Sequence, residues 1–312
     1  MENGSYRYEI LRIEGLRITR YSSYPVFALL FLIYLFIMVS NIGIVIMIAM
    51  DKALHKPMYF LFCNLPLSDA ISATVVLPGL LKDIVAESDR YISFVACVIQ
   101  AFGVHSLSTS AHTIIIIMAF DRYVAICHPL RYHTIMNNVM VVRLSVIAWI
   151  IATVPVGAIL ALTARLSHCT SVISNPFCDN PSLFKLSCEN LLLNQIVGLS
   201  TAVMLWTMSI SCIAVTYLKI AHVCIKKQNS MLKGKAIKTC STHLIVYLIL
   251  LGCDCSVIIL HRFSAYEELR NVANVLFYAI PSSLNPVVYG LQTKEIRQGL
   301  KQIFLRRKVI PG

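Results

Sequence analysis

The sequence predicts an all-α membrane protein: a seven-transmembrane helix bundle, N-terminus outside, with a short amphipathic eighth helix. Three observations predict it. The 312 residues are 57% hydrophobic and 13% charged, where an ordinary soluble domain carries about 25% charged residues. Seven apolar runs recur along the chain, each meeting the roughly 20 residues a helix needs to cross about 30 Å of hydrocarbon. The net charge of +12 is concentrated between alternate runs, which is an orientation signal and not the continuous basic surface of a nucleic-acid-binding protein.

Residues 1–24 are polar and charged and read as an extracellular N-terminus. Asn3-Gly4-Ser5 is an N-glycosylation sequon, which would place this end outside the cell; such triplets also arise by chance. The first apolar run begins near Pro25 and exceeds the roughly 7–15 residues of a signal-peptide core, so it reads as a first spanning helix. The seven runs are Pro25–Met50, Met58–Leu81, Ile92–Ile126, Leu144–Ala164, Leu191–Leu218, Ala236–Leu260 and Asn271–Leu291. Buried strands fail on length, because strands run about 4–8 residues. A membrane β-barrel would need short alternating segments, which are absent. Together the runs define a membrane domain over 25–291, followed by an amphipathic helix and cytoplasmic tail over 292–312.

Orientation follows from Lys and Arg. With the N-terminus outside, 17 of the 27 bases fall on the inner side against three acids, Asp51, Asp121 and Glu295, while the outer side holds ten of each sign. Asp69 and Asp254 are left inside helices, where an acid faces the bundle interior or a water-filled cavity because a charge in lipid is costly.

Eleven cysteines divide unevenly. Cys97, Cys169, Cys178 and Cys188 fall on the outer, oxidising side, so two disulfides are expected, in any of three pairings. Cys63, Cys127, Cys212, Cys224, Cys240, Cys253 and Cys255 read as membrane or cytosolic thiols. Cys253 and Cys255 with His261 have the chemistry for a soft metal, but core packing accounts for them more simply.

The stretch from Met118 to Leu130, Met-Ala-Phe-Asp-Arg-Tyr-Val-Ala-Ile-Cys-His-Pro-Leu, places an acid–base pair where the third helix leaves the bilayer. A charge at mid-membrane costs on the order of 3 kcal/mol, less at the edge, so the pair is a functional candidate; an Arg there also serves as a snorkelling stop. Leu54-His55-Lys56-Pro57-Met58-Tyr59-Phe60 precedes it, and Lys235 to Leu244, Pro281 to Tyr289 and Thr293 to Arg297 follow in order. This ordered set resembles the odorant receptors, a branch of the rhodopsin-like G-protein-coupled receptors, from about Asn41 to Arg307. The Thr216–Ile220 run looks closer to fish-type members.

The resemblance implies a receptor of the plasma membrane, ciliary in sensory neurons, that binds a small odorant, activates a stimulatory G protein, contacts lipid and no nucleic acid, and needs no cofactor. It selects Cys97–Cys178 and Cys169–Cys188. It assigns the inner switch to Asp121, Arg122, Tyr123, Tyr217, His243, Asn285, Pro286 and Tyr289. The physics fits. Pro286 removes a backbone hydrogen bond and permits a hinge, and Arg122 can exchange Asp121 for an incoming protein. His243 also reads as a hydrogen-bonded core histidine. Residues 293–308 alternate basic and apolar positions, as an interfacial helix on an anionic leaflet does.

Helical counting from these motifs puts His105, Ser108, Thr109, Thr201, Leu205, Leu251, Asp254, Ile258 and Arg262 at the outer third of the bundle as ligand-binding candidates. Arg262, in His-Arg-Phe, resembles receptors of the family that favour carboxylic acids; a guanidinium grips a carboxylate bidentately. It can equally pair with Glu267 or Glu268. Asp254, two turns deeper by about 12 Å, can accept an ammonium group, or stay protonated. The expected ligands are thus a carboxylic acid, an amino acid or an amine. Two positions depart from the family pattern: Leu251 stands where a Tyr is usual, and Ala111 where a Glu would join Asp69 around a sodium ion. Competing readings are a non-olfactory rhodopsin-like receptor and a small-solute transporter with Asp69, Asp254 and Arg122 as a relay. An enzyme is disfavoured, because no metal-ligand set or nucleophile–base pair is evident.

Overall fold

The computed structural model describes residues 8–16, 18–85, 90–226, 230–263, 266–292 and 296–298. Asn3 lies outside the described residues, as do 293–295 and 299–308 of the expected amphipathic helix. The long helices are α1 (Arg20–Met50), α2 (Pro57–Val85) and α3 (Phe94–Cys127). After the single-turn α4 (Tyr132–Ile135) come α5 (Asn138–Ala164), the short α6 (Asn180–Phe184), α7 (Leu192–Lys226), α8 (Ser230–Leu260) and α9 (Glu267–Gln292).

Local chemistry sets several helix starts. The side chains of Ser93, Asn137 and Asp179 accept from the backbone N–H groups of Ala96, Met140 and Ser182, capping α3, α5 and α6, and so satisfy donors that the first turn leaves unpaired. Among the described residues, six helices, α1, α2, α3, α5, α7 and α8, are long and apolar enough to cross a membrane by length and composition. The seventh expected run also forms a helix, α9, but a different kind. It starts with Glu267 and Glu268 and turns polar residues inward: Asn271, Asn274, Ser282 and Asn285 are all buried. At about 1.5 Å per residue its 26 residues reach about 39 Å, and it packs against α1, α2 and α8.

The central core joins Ile44 and Ile48 of α1, Phe62 and Leu65 of α2, Ile114 and Met118 of α3, Val246 and Tyr247 of α8, and Phe277 and Tyr289 of α9. Ile296, helical with its neighbours 297 and 298, is fully buried in this same core, so that position is anchored in protein. Asp69 lies inside the bundle, accepting from Asn285 Nδ2 at 2.8 Å and Ser282 Oγ at 3.3 Å. Asn41 donates to the Ser282 carbonyl, so three helices share one polar knot.

The polar segment ahead of the first apolar run contains a strand. β1 (Ile10–Ile13) lies between β2 (Tyr91–Ser93), antiparallel, and β3 (Val172–Ile173), parallel. Leu11 is fully buried in a second core with Phe94, Cys97, Cys178 and Leu186. Gly15 then turns the chain at φ 65°, a conformation glycine adopts without strain. The basic link between the fifth and sixth runs is helical over its described residues. Helices α7 and α8 run on past the apolar stretch into it and leave 227–229 between them, because nothing in Lys219–Lys226 breaks a helix.

Candidate functional site: an apolar cavity under a tethered roof

Two disulfides organise the sheet end of the bundle. Cys97 at the start of α3 is bonded to Cys178, and Cys169 to Cys188. The first bond brings Phe177, Asp179 and Asn180 over the space between α3, α5, α7 and α8. Further bonds hold this roof in place. Cys178 N–H donates to Gln100 Oε1 at 2.9 Å, and Asn180 N–H donates to His105 Nε2 at 3.0 Å. Accepting at Nε2 leaves His105 a neutral ring carrying its proton on Nδ1.

Below the roof is a cavity of about 370 Å³, the size of a small-molecule site. His105, Ser108 and Thr109 of α3 line it, with Thr201 and Leu205 of α7, Asp254 and Ile258 of α8, and Arg262 just beyond α8. Leu251 is the exception: it packs against the central core and is not part of the cavity wall. It lies on the same face as Asp254, three residues back along the helix, at a level where the core fills the interior. The walls are mostly apolar, with Phe177, Trp206, Met208, Val257 and Phe277 among them.

Asp179 is the most engaged charge. Ser182 donates to it from both backbone and side chain, and Asn175 Nδ2 donates at 2.9 Å. His261 Nε2 stands 3.2 Å away, without hydrogen-bond alignment. Asn175 in turn accepts from Arg270 Nε of α9. Burial pushes the Asp179 carboxyl up, but His261 and Ser182 outweigh it and hold it well below the usual carboxylate range. A depressed carboxyl stabilises the fold above the unfolded-state value near 4 and loses that contribution as pH falls below it. Asp179→Asn is therefore expected to cost about 2–3 kcal/mol at neutral pH, with the gap to wild type closing below about pH 4. Thermal unfolding of the two proteins across pH checks this; a gap that widens on acidification would refute it.

Arg262 is exposed and, among the described residues, forms no ion pair. Glu267 pairs instead with Arg270, at 3.6 Å. Asp254 is held by His112, whose Nε2 lies 2.5 Å from Oδ2. Sequence reasoning passed over His112. It sits on the same α3 stripe as His105 and Ser108, at helical spacings of seven and four, and that spacing was the available signal. Asp179 was missed too; its place over the cavity follows only from the Cys97–Cys178 bond.

At the opposite end of the bundle Asp121, Arg122, His243 and Tyr289 come together around a small cavity of about 30 Å³, closed by Met58, Phe62 and Met118. Arg122 Nε is 3.8 Å from Asp121, its guanidinium touches the Met58 sulfur, and Tyr132 OH donates to Asp121 at 2.8 Å. His243 meets the Tyr289 ring edge-on at 5.2 Å. Tyr123 and Tyr217 do not line this cavity; they pack with Ile220 and Cys224 beside it. Asn285 is bonded to Asp69, and Pro286 lies next to it in α9.

A helical membrane bundle with a roofed, ligand-sized cavity at one end and a charged Asp-Arg-Tyr cluster at the other has the build of a membrane receptor. A family profile described as olfactory receptor matches residues 30–307, and the chain belongs to that family. Olfactory receptor 4E1 of Homo sapiens is 34% identical over 298 residues, covering 95% of this chain and 93% of the relative. Olfactory receptor 52D1 of Homo sapiens is 34% identical, covering 86% of each. Olfactory receptor 1E16 of Mus musculus is 31% identical, covering 91% of this chain and 90% of the relative. The protein is thus a multi-pass plasma-membrane receptor with an odorant-receptor role, not an enzyme.

Proposed function

We propose that a small odorant binds in the roofed cavity and that its binding activates a stimulatory heterotrimeric G protein at the Arg122 end. In this reading the N-terminus and the sheet lie outside, and α9 is the seventh spanning helix. The observation that carries it is the cavity: about 370 Å³, mostly apolar, with a few polar groups converging on it, as ligand sites have. The ligand is a carboxylic acid, an amino acid or an amine, met by Arg262 near the roof or Asp254 deeper in.

The two ends are joined by α3 and α8, which line both the ligand cavity and the Arg122 cluster. A ligand shifts a two-state bundle only by its differential affinity for the two states. Here the closed state packs Arg122 against Asp121 and Met58, and the active state would release Arg122 to the G-protein α-subunit, with His243 and Tyr289 parting as α8 moves.

The test is a cAMP assay in cells expressing the chain, against panels of carboxylic acids, amino acids and amines, followed by nucleotide exchange on purified heterotrimer. Ligand-dependent exchange is expected. Solute movement across vesicles, with no exchange under any stimulus, would sink the reading.

A further inference from the structure

One acid in the cavity is only half engaged by protein. The Asp254 side chain is 13% exposed and lines the cavity, while His112, its partner across from α3, is 1% exposed and does not. His112 Nε2 takes Oδ2, and among the described residues Oδ1 has no partner. A carboxylate offers about four acceptor positions on its two oxygens, so a second donor can be accommodated. A molecule entering the cavity therefore meets the carboxylate and not the shielded imidazole. The other acid, Asp179, is already held by Ser182, Asn175 and His261.

The mutual arrangement also has a mechanical side. The His112–Asp254 contact ties α3 to α8 across the bundle, between the ligand cavity and the Arg122 cluster. A competing donor at Asp254 weakens that tie at the helix whose other end carries His243.

We propose that Asp254 anchors the ammonium group of an amine ligand, which draws the carboxylate from His112 and thereby loosens α8 from α3. This rests on the cavity being the ligand site. A primary ammonium suits the anchor because it brings charge and three donors, while its alkyl chain matches the apolar walls formed by Leu205, Met208 and Phe277.

The experiment uses the purified full-length receptor in lipid nanodiscs, with affinity read from ligand-dependent shifts in the thermal midpoint. The probes are n-hexylamine, n-hexanol and hexanoic acid. In wild type, hexylamine is expected to bind at least about tenfold more tightly than hexanol. Asp254→Asn should erase that preference, with hexylamine losing far more affinity than hexanol. His112→Leu, which removes the competing donor, should tighten hexylamine severalfold and leave hexanol unchanged; this variant keeps the idea falsifiable if Asp254→Asn does not fold. Equal affinity for hexylamine and hexanol in wild type, or a preference that survives Asp254→Asn, overturns the proposal. Hexanol or hexanoic acid binding and driving nucleotide exchange while hexylamine does neither would overturn it and leave the odorant-receptor reading standing. Stabilisation by none of the three, with no exchange, would count against both.

Discussion

Cys178→Ser is expected to be the most damaging single change to the receptor's folded state. The Cys97–Cys178 bond closes 81 residues of chain, and Cys169–Cys188 closes 19. On the chain-entropy account these lengths correspond to about 4.5 and about 3 kcal/mol. The longer bond carries more than entropy. Cys178 is flanked by Phe177 and Asp179, which roof the cavity, and its N–H is fixed by Gln100. Losing the bond frees the roof from α3 and exposes the second core around Leu11 and Phe94. The expected result is a sharp fall in surface expression and thermal midpoint, with loss of any ligand response. Cys188→Ser should be milder on all three readouts. Equal losses from the two substitutions, or a Cys178→Ser protein that unfolds at the wild-type temperature, would contradict this account.

Arg122→Ala is expected to abolish G-protein activation while leaving the folded receptor at the surface. The side chain is 21% exposed, and its ion pair to Asp121, at 3.8 Å, is long. Asp121 keeps the Tyr132 hydroxyl when Arg122 is removed, and burial together with Asp121 raises the Tyr132 hydroxyl's pKa, so it stays a donor at any ordinary pH. Little folding energy is therefore at stake. Coupling is different. If Arg122 is the group that meets the α-subunit, truncating a buried charged contact costs about 2–5 kcal/mol, which is roughly a thirtyfold to several-thousandfold loss. Nucleotide exchange on purified heterotrimer reads this directly, with surface labelling as the control. Near-normal exchange by Arg122→Ala would remove Arg122 from the proposed switch.

Several features could be read before any coordinates. The apolar runs announce spanning helices because hydrocarbon demands length and internal hydrogen bonding. The helical stripe through His105, Ser108 and Thr109 follows from the 3.6-residue repeat, and it does reach the cavity. The Asp-Arg-Tyr string and its companions pointed to the family that the profile over 30–307 establishes.

Other features were out of reach for identifiable reasons. Periodicity says which face of a helix turns inward but not what it meets there. Asp254 could be placed inside the bundle by its charge, whereas its partner His112, 142 residues away, depended on how α3 and α8 are rotated against each other. Leu251 fell on the right side of α8 and at the wrong height, so it joined the core. Arg262 was balanced between Glu267 and the cavity, and the preference of Glu267 for Arg270 resolved only half of that question.

The sequence by itself determined the helical membrane bundle and the family, because these depend on composition, local period and ordered motifs. The tertiary structure alone decided that Ile10–Ile13 is a strand and that Asp179 roofs a cavity. A four-residue strand has no local signal strong enough to stand alone, and its hydrogen bonds go to partners about 80 and 160 residues on. Asp179 reaches the cavity because a covalent bond to Cys97 carries it there. Long-range pairing of this kind has no period to read, and only the folded chain specifies it.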